Sequence, residues 1–231
     1  AVRGRLSEGR RYVFERRRSP AIDAFVADPA LSELCARGPA TPDHVIRTKQ
    51  RPLVLDPRAA DDGEAGWADH VADALHRYRQ DYRSYVAEQL AVEQTRPTPL
   101  DADPRVVLIP GVGLIGVGPD ARAAGIAADI YTHTIDVIRG AEAVGRYRAL
   151  SDADIFDMEY WSLEQAKLGK KTPPALAGQV VLISGAAAGI GAEVARVFRA
   201  AGAELFLVDR DPAVAALADE LSAGHSVADV G

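Results

Sequence analysis

The sequence predicts an α/β protein in two parts: an α/β lobe over residues 1–172 and, after a linker at 173–178, the first half of a doubly wound parallel sheet over 179–231. Three observations carry this expectation. Two long stretches repeat apolar residues at helical spacing between short apolar runs of strand length. "KKTPPALAG" (170–178), with paired prolines, lysines and a glycine, is the best domain boundary in the chain. Beyond it, a short apolar run, a glycine turn, an amphipathic run and a second apolar run follow in strand–helix–strand order.

In the first part, "RYVFE" reads as a short strand and "SPAIDAFVADPALSELCARG" as helical around two prolines. "GPATPDHVIRTKQRPLVLD" (38–56) is rich in turn formers and ends in a short apolar strand, and "DPRAADDGEAG" (56–66) reads as an acidic surface loop. Val71, Leu75, Tyr78, Tyr82, Tyr85, Val86 and Leu90 fall at three- and four-residue intervals, which predicts a helix from Trp67 to about Thr95, ended by "TRPTPLDADP". "RVVLIPGVGLIGVG" (105–118) predicts two strands around Pro110 and Gly111. A second long helix follows, with Pro119 at its start, where the missing N–H does no harm. Ser151 and Asp154 suit the N-terminus of a further helix.

Composition narrows the function. Hydrophobic residues at 48% and charged ones at 26% are ordinary for a globular protein and far from the disordered class. A net charge of −6 argues against general nucleic-acid binding, although seven arginines fall in the first 18 residues and read either as a solvated basic face or as a contact for phosphates or an acidic partner. Cys35 is the sole cysteine, which rules out an intramolecular disulfide and a thiolate metal cluster and fits a reducing cytoplasm. No apolar run approaches the roughly 20 residues of a membrane span, and no signal-peptide core is present. A start at Ala1 in a charged segment suggests a piece of a longer protein.

The chemistry concentrates in "QVVLISGAAAGIGAEVARVFRAAGAELFLVD". Gly185, Gly189 and Gly191 sit at the strand-to-helix turn. Glycines there permit a tight turn and close approach of a pyrophosphate, while the helix N-terminus presents N–H groups and positive dipole to phosphates. Asp209 ends the second strand, where a carboxylate can accept hydrogen bonds from adenosine ribose hydroxyls and repel a 2′-phosphate, favouring NAD over NADP. Arg210 weakens that preference, because a guanidinium can meet such a phosphate.

"SGAAAGIG" resembles the cofactor turn of the short-chain dehydrogenase/reductase family, with Ser184 where threonine is usual. The resemblance implies a Rossmann domain and cofactor contacts at Ser184, Gly185, Ala188, Gly189, Ile190, Gly191, Asp209 and Arg210. It also implies contacts at Asp229 and Val230, in the "SVADVG" that matches the end of the family's third strand. The family's catalytic Tyr-x-x-x-Lys is absent, since none of the seven tyrosines has a lysine four residues on. Three strands and two helices would leave the sheet edge and the face beyond the third strand without cover.

The upstream part carries a second resemblance. "GPATPDHVIRTKQRPLVLD", "IPGVGLIGVGPDARAAGIAADIYTHTIDVIRGAE" and "DIFDMEYWSLEQAKLGK" are similar to bifunctional aldolase/short-chain dehydrogenase proteins described as rhamnulose-1-phosphate aldolase/alcohol dehydrogenase. This implies an aldolase-like α/β lobe, cleavage of a ketose 1-phosphate and oxidation of the lactaldehyde formed. The substrates implied are a sugar phosphate and a hydroxyaldehyde, and the expected assembly is a homo-oligomer. Class II aldolases of this type hold zinc with three histidines, two as His-x-His. His44, His70, His76, His133 and His225 include no such pair, and Val112 stands where the third histidine would be. Zinc is therefore expected only in a region upstream of this chain, and residues 38–168 are expected to be a layered αβα lobe that has lost metal binding.

Other residues have two readings. His44 beside Asp43, with Arg47 and Lys49 near in sequence, either binds a phosphorylated sugar or its carboxylate product, or is a hydrogen-bonded loop histidine. His70 and His76, six apart, fall on different helix faces, and His133 reads as packed or at an interface. Asp152, Asp154, Asp157 and Glu159 either attract a cation or open and solvate a helix. Two rival functions stand beside the dehydrogenase: a noncatalytic interaction or oligomerisation module, and a phosphosugar lyase lobe serving a zinc site elsewhere.

Overall fold

In the computed structural model, which describes residues 2–92, 97–162 and 173–230, the chain divides into two compact units. After a short helix α1 (Val2–Leu6), the larger unit is built on β1 (Val13–Arg17), β2 (Leu53–Val54), β3 (Val106–Ile109) and β4 (Gly113–Gly118), in the sheet order β1-β4-β3-β2. β3 and β4 are an antiparallel hairpin in which Ile109 pairs with Gly113. Its turn places Pro110 second and Gly111 third at φ 79°, and the Val112 N–H donates to the Ile109 carbonyl at 3.0 Å. Proline with its preset φ, followed by a glycine at positive φ, is the sequence demand of a type II turn. β2 and β3 run parallel, so the chain between them must cross over, and the 30-residue helix α5 (Gly63–Val92) makes that crossing.

Local sequence explains the smaller helices. Ser19 caps α2 (Pro20–Val26) by accepting the Ile22 N–H at 3.1 Å, with proline at the first helical position. Asp28 then accepts the Ala30 N–H at 2.8 Å, turning the chain into α3 (Leu31–Ala36). A 3₁₀ turn at Pro42–His44 leads into α4 (Val45–Thr48), which ends at Lys49. The expected acidic loop at 56–66 is instead a 3₁₀ segment, Pro57–Asp62, that runs into α5. Asp56 caps that segment by accepting the Arg58 N–H at 3.0 Å, which moves the helical start ahead of Trp67.

α2, α3 and the long helix α6 (Ala121–Val144) share one core with Val106, Leu108 and Leu114 on one face of the sheet. Val107, Ile109, Ile115 and Val117, which alternate with them, are buried as well, so both faces of the central hairpin are covered. That agrees with the layered lobe expected from the sequence. α6 lies very close to β4 because Gly116 and Gly118 face it: a Cβ on Gly116 would sit 2.1 Å from the Ala124 carbonyl oxygen and 2.9 Å from Ala128 Cβ. Gly116→Ala is therefore expected to force the helix off the sheet and cost about 1–3 kcal/mol. Urea unfolding of the variant checks this, and an unchanged midpoint would refute it.

α7 (Asp152–Tyr160) begins where expected, with the Ser151 hydroxyl accepting the Asp154 N–H at 3.2 Å. Glu159, expected in a solvated acidic run, is instead fully buried, because Ile155, Phe156, Glu159 and Tyr160 share the inward face of this helix.

The smaller unit holds β5 (Val180–Ser184), α8 (Gly189–Ala200), β6 (Glu204–Asp209), α9 (Val214–Leu221) and β7 (Gly224–Val227). The three strands are parallel, in the order β5-β6-β7, with Leu182 paired to Phe206 and Asp209 to Val227. Ile183, Leu205 and Leu207 pack against Ala192 and Ala195 of α8 and Val214, Leu217 and Ala218 of α9. The opposite face shows Val180, Leu182 (66% exposed) and Phe206. Apolar strands of this kind predict cover on both faces; among the described residues only one face has it.

Candidate functional site

The glycine turn lies between β5 and α8. Ser184 ends the strand, and Gly185 (φ 66°) and Gly189 (φ 56°) occupy the left-handed region that favours glycine. Gly191 has a different reason for being glycine. A Cβ there would lie 2.0 Å from the Gly185 carbonyl oxygen, so the first turn of α8 rests directly on the turn's backbone. Ala188 is the extended N-cap residue and makes no side-chain capping hydrogen bond, which keeps the first-turn N–H groups of this 12-residue helix available to an anion. Ile190 is almost fully exposed beside them.

Asp209, at the end of β6, ties the turn to the neighbouring strand. Its carboxylate accepts the Ala187 N–H at 2.8 Å and the Asp211 N–H at 2.9 Å, and these backbone donors hold its pKa below the usual carboxylate value. An anion is thus fixed at the strand end, where ribose hydroxyls of a dinucleotide would arrive. The Ala228 N–H donates to the Asp209 carbonyl at 2.9 Å, which brings Asp229 and Val230 beside the same strand end. Arg210 is exposed next to it. The structure therefore gathers the sequence-named residues Ser184, Gly185, Ala188, Gly189, Ile190, Gly191, Asp209, Arg210, Asp229 and Val230 around one sheet edge. A glycine at 191 without room for a side chain, open helix N–H groups and an ionised carboxylate fit a dinucleotide.

The histidines do not converge. His44 lies 3.8 Å from Asp43 and is half-exposed. His70 stacks on Trp67 and accepts the Asp56 N–H through Nε2 at 3.3 Å, while His76, His133 and His225 are exposed. His133 is thus not packed within this chain. Among the described residues no three His, Cys, Asp or Glu side chains gather as metal ligands, and Val112 sits in the β3–β4 turn. These donors do not fit zinc.

The cluster least legible in the sequence lies in the larger unit. Lys49, only 2% exposed, points inward rather than toward His44, with Nζ 3.4 Å from Glu159 Oε1 and 3.8 Å from the centre of the Tyr82 ring. The Tyr82 hydroxyl donates to Glu159 Oε1 at 2.8 Å and lies 3.0 Å from the Tyr160 hydroxyl, which accepts the Leu100 N–H at 3.1 Å. Burial lowers the Lys49 amine to about 8 despite the attraction of Glu159, and burial likewise raises Glu159 despite Lys49. Desolvation outweighs pairing on both partners. Lys49 also holds φ 65°, ψ 168°, a conformation that is essentially glycine's and costs a lysine about 1–3 kcal/mol. One sequence signal pointed here: Glu159 shares a helical face with Ile155, Phe156 and Tyr160.

Comparison with known proteins covers both units. Residues 1–168 match the family model described as aldolase class II, second domain. The uncharacterised oxidoreductase YuxG of Bacillus subtilis (strain 168) is 30% identical over 212 residues, which is 90% of this chain and 30% of that protein. The chain thus spans about a third of that relative's length. The short-chain dehydrogenase/reductase prx4 of Penicillium rubens is 56% identical over 39 residues, 17% of this chain and 12% of its own. A solved short-chain dehydrogenase from Pseudomonas syringae shares 31% identity over 26% of this chain and 28% of its own, with a TM-score of 0.24 that supports no fold argument. An aldolase-type region and a dehydrogenase-like segment are therefore joined in one polypeptide, and with the family model matched over most of its length, the chain belongs to the aldolase class II second-domain family.

Proposed function

We propose that this chain is the central part of a fused aldolase and NAD-dependent short-chain dehydrogenase, and that its smaller unit binds the dinucleotide. The observation that carries the reading is the pairing of a glycine turn with no space for a Cβ at Gly191 and an Asp209 carboxylate held by two backbone N–H groups. A nicotinamide dinucleotide, when bound, supplies the hydride acceptor. The chain's own part is to seat the pyrophosphate over the α8 N-terminus and the adenosine ribose against Asp209. With no Tyr-x-x-x-Lys motif in the sequence, proton transfer to or from the substrate falls to residues beyond this chain. The substrate pair we assign is a ketose 1-phosphate, cleaved by the aldolase, and the lactaldehyde formed, oxidised by the dehydrogenase. The resemblance to the bifunctional family supports this, and the joining of the two region types is consistent with it.

Titration calorimetry of the chain with NAD and with NADP tests the cofactor assignment. NAD is expected to bind about tenfold or more tightly than NADP, because a 2′-phosphate meets a fixed anion. Asp209→Asn keeps the size and loses the charge, so it is expected to narrow that ratio mainly by improving NADP binding. Equal affinity for the two cofactors in the unaltered chain would remove Asp209 from the role.

A further inference from the structure

We propose that Lys49 is a carbonyl-reactive amine, forming an imine with a short aldehyde or ketone that enters past Tyr82, and that Tyr82 and Glu159 carry the protons of that step. The residue type at position 49 points this way. The chain has 27 basic residues but only four lysines, Lys49, Lys167, Lys170 and Lys171. Arginine serves nearly every cationic position, and arginine does not deprotonate in proteins, whereas a lysine can become a nucleophile. Lys49, the one lysine outside the 167–171 segment, is buried.

The side chain is also aimed. A buried cation needed only for charge balance does not require a strained backbone, yet Lys49 adopts a glycine-like φ and ψ that turns its side chain inward onto Glu159 and the Tyr82 ring. The cluster also borders a cleft. Tyr82 belongs both to the hydrogen-bonded cluster and to the wall of an open cleft of about 650 Å³, where Arg79, Arg83, Val86 and Leu100 also stand. Leu100 is tied by its N–H to Tyr160, so the cleft floor and the cluster share two residues. The route this proposal requires passes the Tyr82 ring, which lines the cleft and whose centre lies 3.8 Å from Nζ. Burial, the first cause acting on the amine, and Arg105 favour its neutral form, while Glu159 and Asp101 oppose it, and the balance leaves a substantial neutral fraction near pH 8.

The step balances without a redox partner. The Nζ lone pair attacks the carbonyl carbon, Glu159 Oε1 takes the N–H proton, and the Tyr82 hydroxyl protonates the carbonyl oxygen. Glu159 then passes its proton to the carbinolamine hydroxyl, which leaves as water, and the remaining Nζ proton goes to the Tyr82 phenolate as the C=N bond forms, so both groups return to their starting states. This site is independent of the dinucleotide reading, and failure of either leaves the other standing.

The test is reductive trapping of the full chain with glycolaldehyde and cyanoborohydride, read by peptide mass mapping. Lys49 is expected to be captured more than about tenfold faster than Lys167, Lys170 and Lys171 at pH 8, because an amine with a lowered pKa is far more often neutral than an ordinary one. Its rate should inflect near pH 8. Tyr82→Phe keeps the ring below Nζ and is expected to slow capture while its circular dichroism stays that of the unaltered chain. Capture of Lys49 no faster than the other lysines, or a rate indifferent to Tyr82→Phe, overturns the assignment in favour of a purely structural ion pair.

Discussion

Lys49→Met is expected to destabilise the chain by about 3–5 kcal/mol, and Glu159→Leu by a similar amount, while the double variant Lys49→Met/Glu159→Leu recovers most or all of the loss. Each single change strands one charge in a site where both partners are at most 2% exposed. The Tyr82 and Tyr160 hydroxyls alone cannot replace a counter-charge. Removing both charges removes both desolvation costs, and methionine and leucine fill similar volume. Denaturant unfolding of the four proteins closes the cycle. Strictly additive losses in the double variant would show that the pair is not coupled.

The same pair dictates the sign of a pH effect. The folded Lys49 amine titrates near 8, below its ordinary 10.5. Between those values the unfolded chain holds more protons, so this group makes stability rise with pH across that window. Glu159 is raised above 4.5. Just above that value the folded chain holds more protons, so this group makes stability fall as pH rises through the window that opens there. The disadvantage of the wild-type pair against the apolar double variant is therefore greatest between these windows, around neutral pH, and shrinks toward pH 10. A difference that stays flat from pH 7 to 10 would contradict the lowered amine.

Gly191→Val is expected to abolish measurable NAD binding in a chain that still folds its larger unit. The clash is with backbone: the Gly185 carbonyl oxygen lies 2.0 Å from the new Cβ, so α8 must move away from β5 or the turn must open. Either movement takes the helix N–H groups away from the pyrophosphate. Gly189→Ala separates two causes. At Gly189 nothing lies within 4 Å of a new Cβ and only the positive φ is penalised, about 1–2 kcal/mol for an L-residue. A weakened but measurable affinity is expected for Gly189→Ala and none for Gly191→Val. The reverse order in calorimetry would mean that the cradle depends on turn conformation rather than on helix approach.

Elements whose information is local could be read directly. The Ser151 cap, the Pro110–Gly111 turn and the apolar stripe of α5 each follow from residues within a few positions, and the structure holds all of them. The start of α5 is hidden in the sequence because Asp56 caps a 3₁₀ turn that glycine and aspartate composition disguises as loop. The cofactor turn was legible for the same local reason, since its glycines serve contacts within one strand–turn–helix unit. Its link to Asp209 was legible only in outline. The hydrogen bond from the Ala187 N–H crosses between strands, and its existence depends on the β5–β6 register.

By itself, the sequence determined the order of elements, the glycine turn with its terminal carboxylate, and the absence of His-x-His and Tyr-x-x-x-Lys motifs, because these are properties of spacing along one chain. The tertiary structure alone decided that Lys49 and Glu159 meet. They lie 110 positions apart, one in a turn rich in polar residues and the other in an acidic run, and each by itself reads as solvated. Only the convergence of α4, α5 and α7 removes both from water, and burial then changes what a lysine and a glutamate can do.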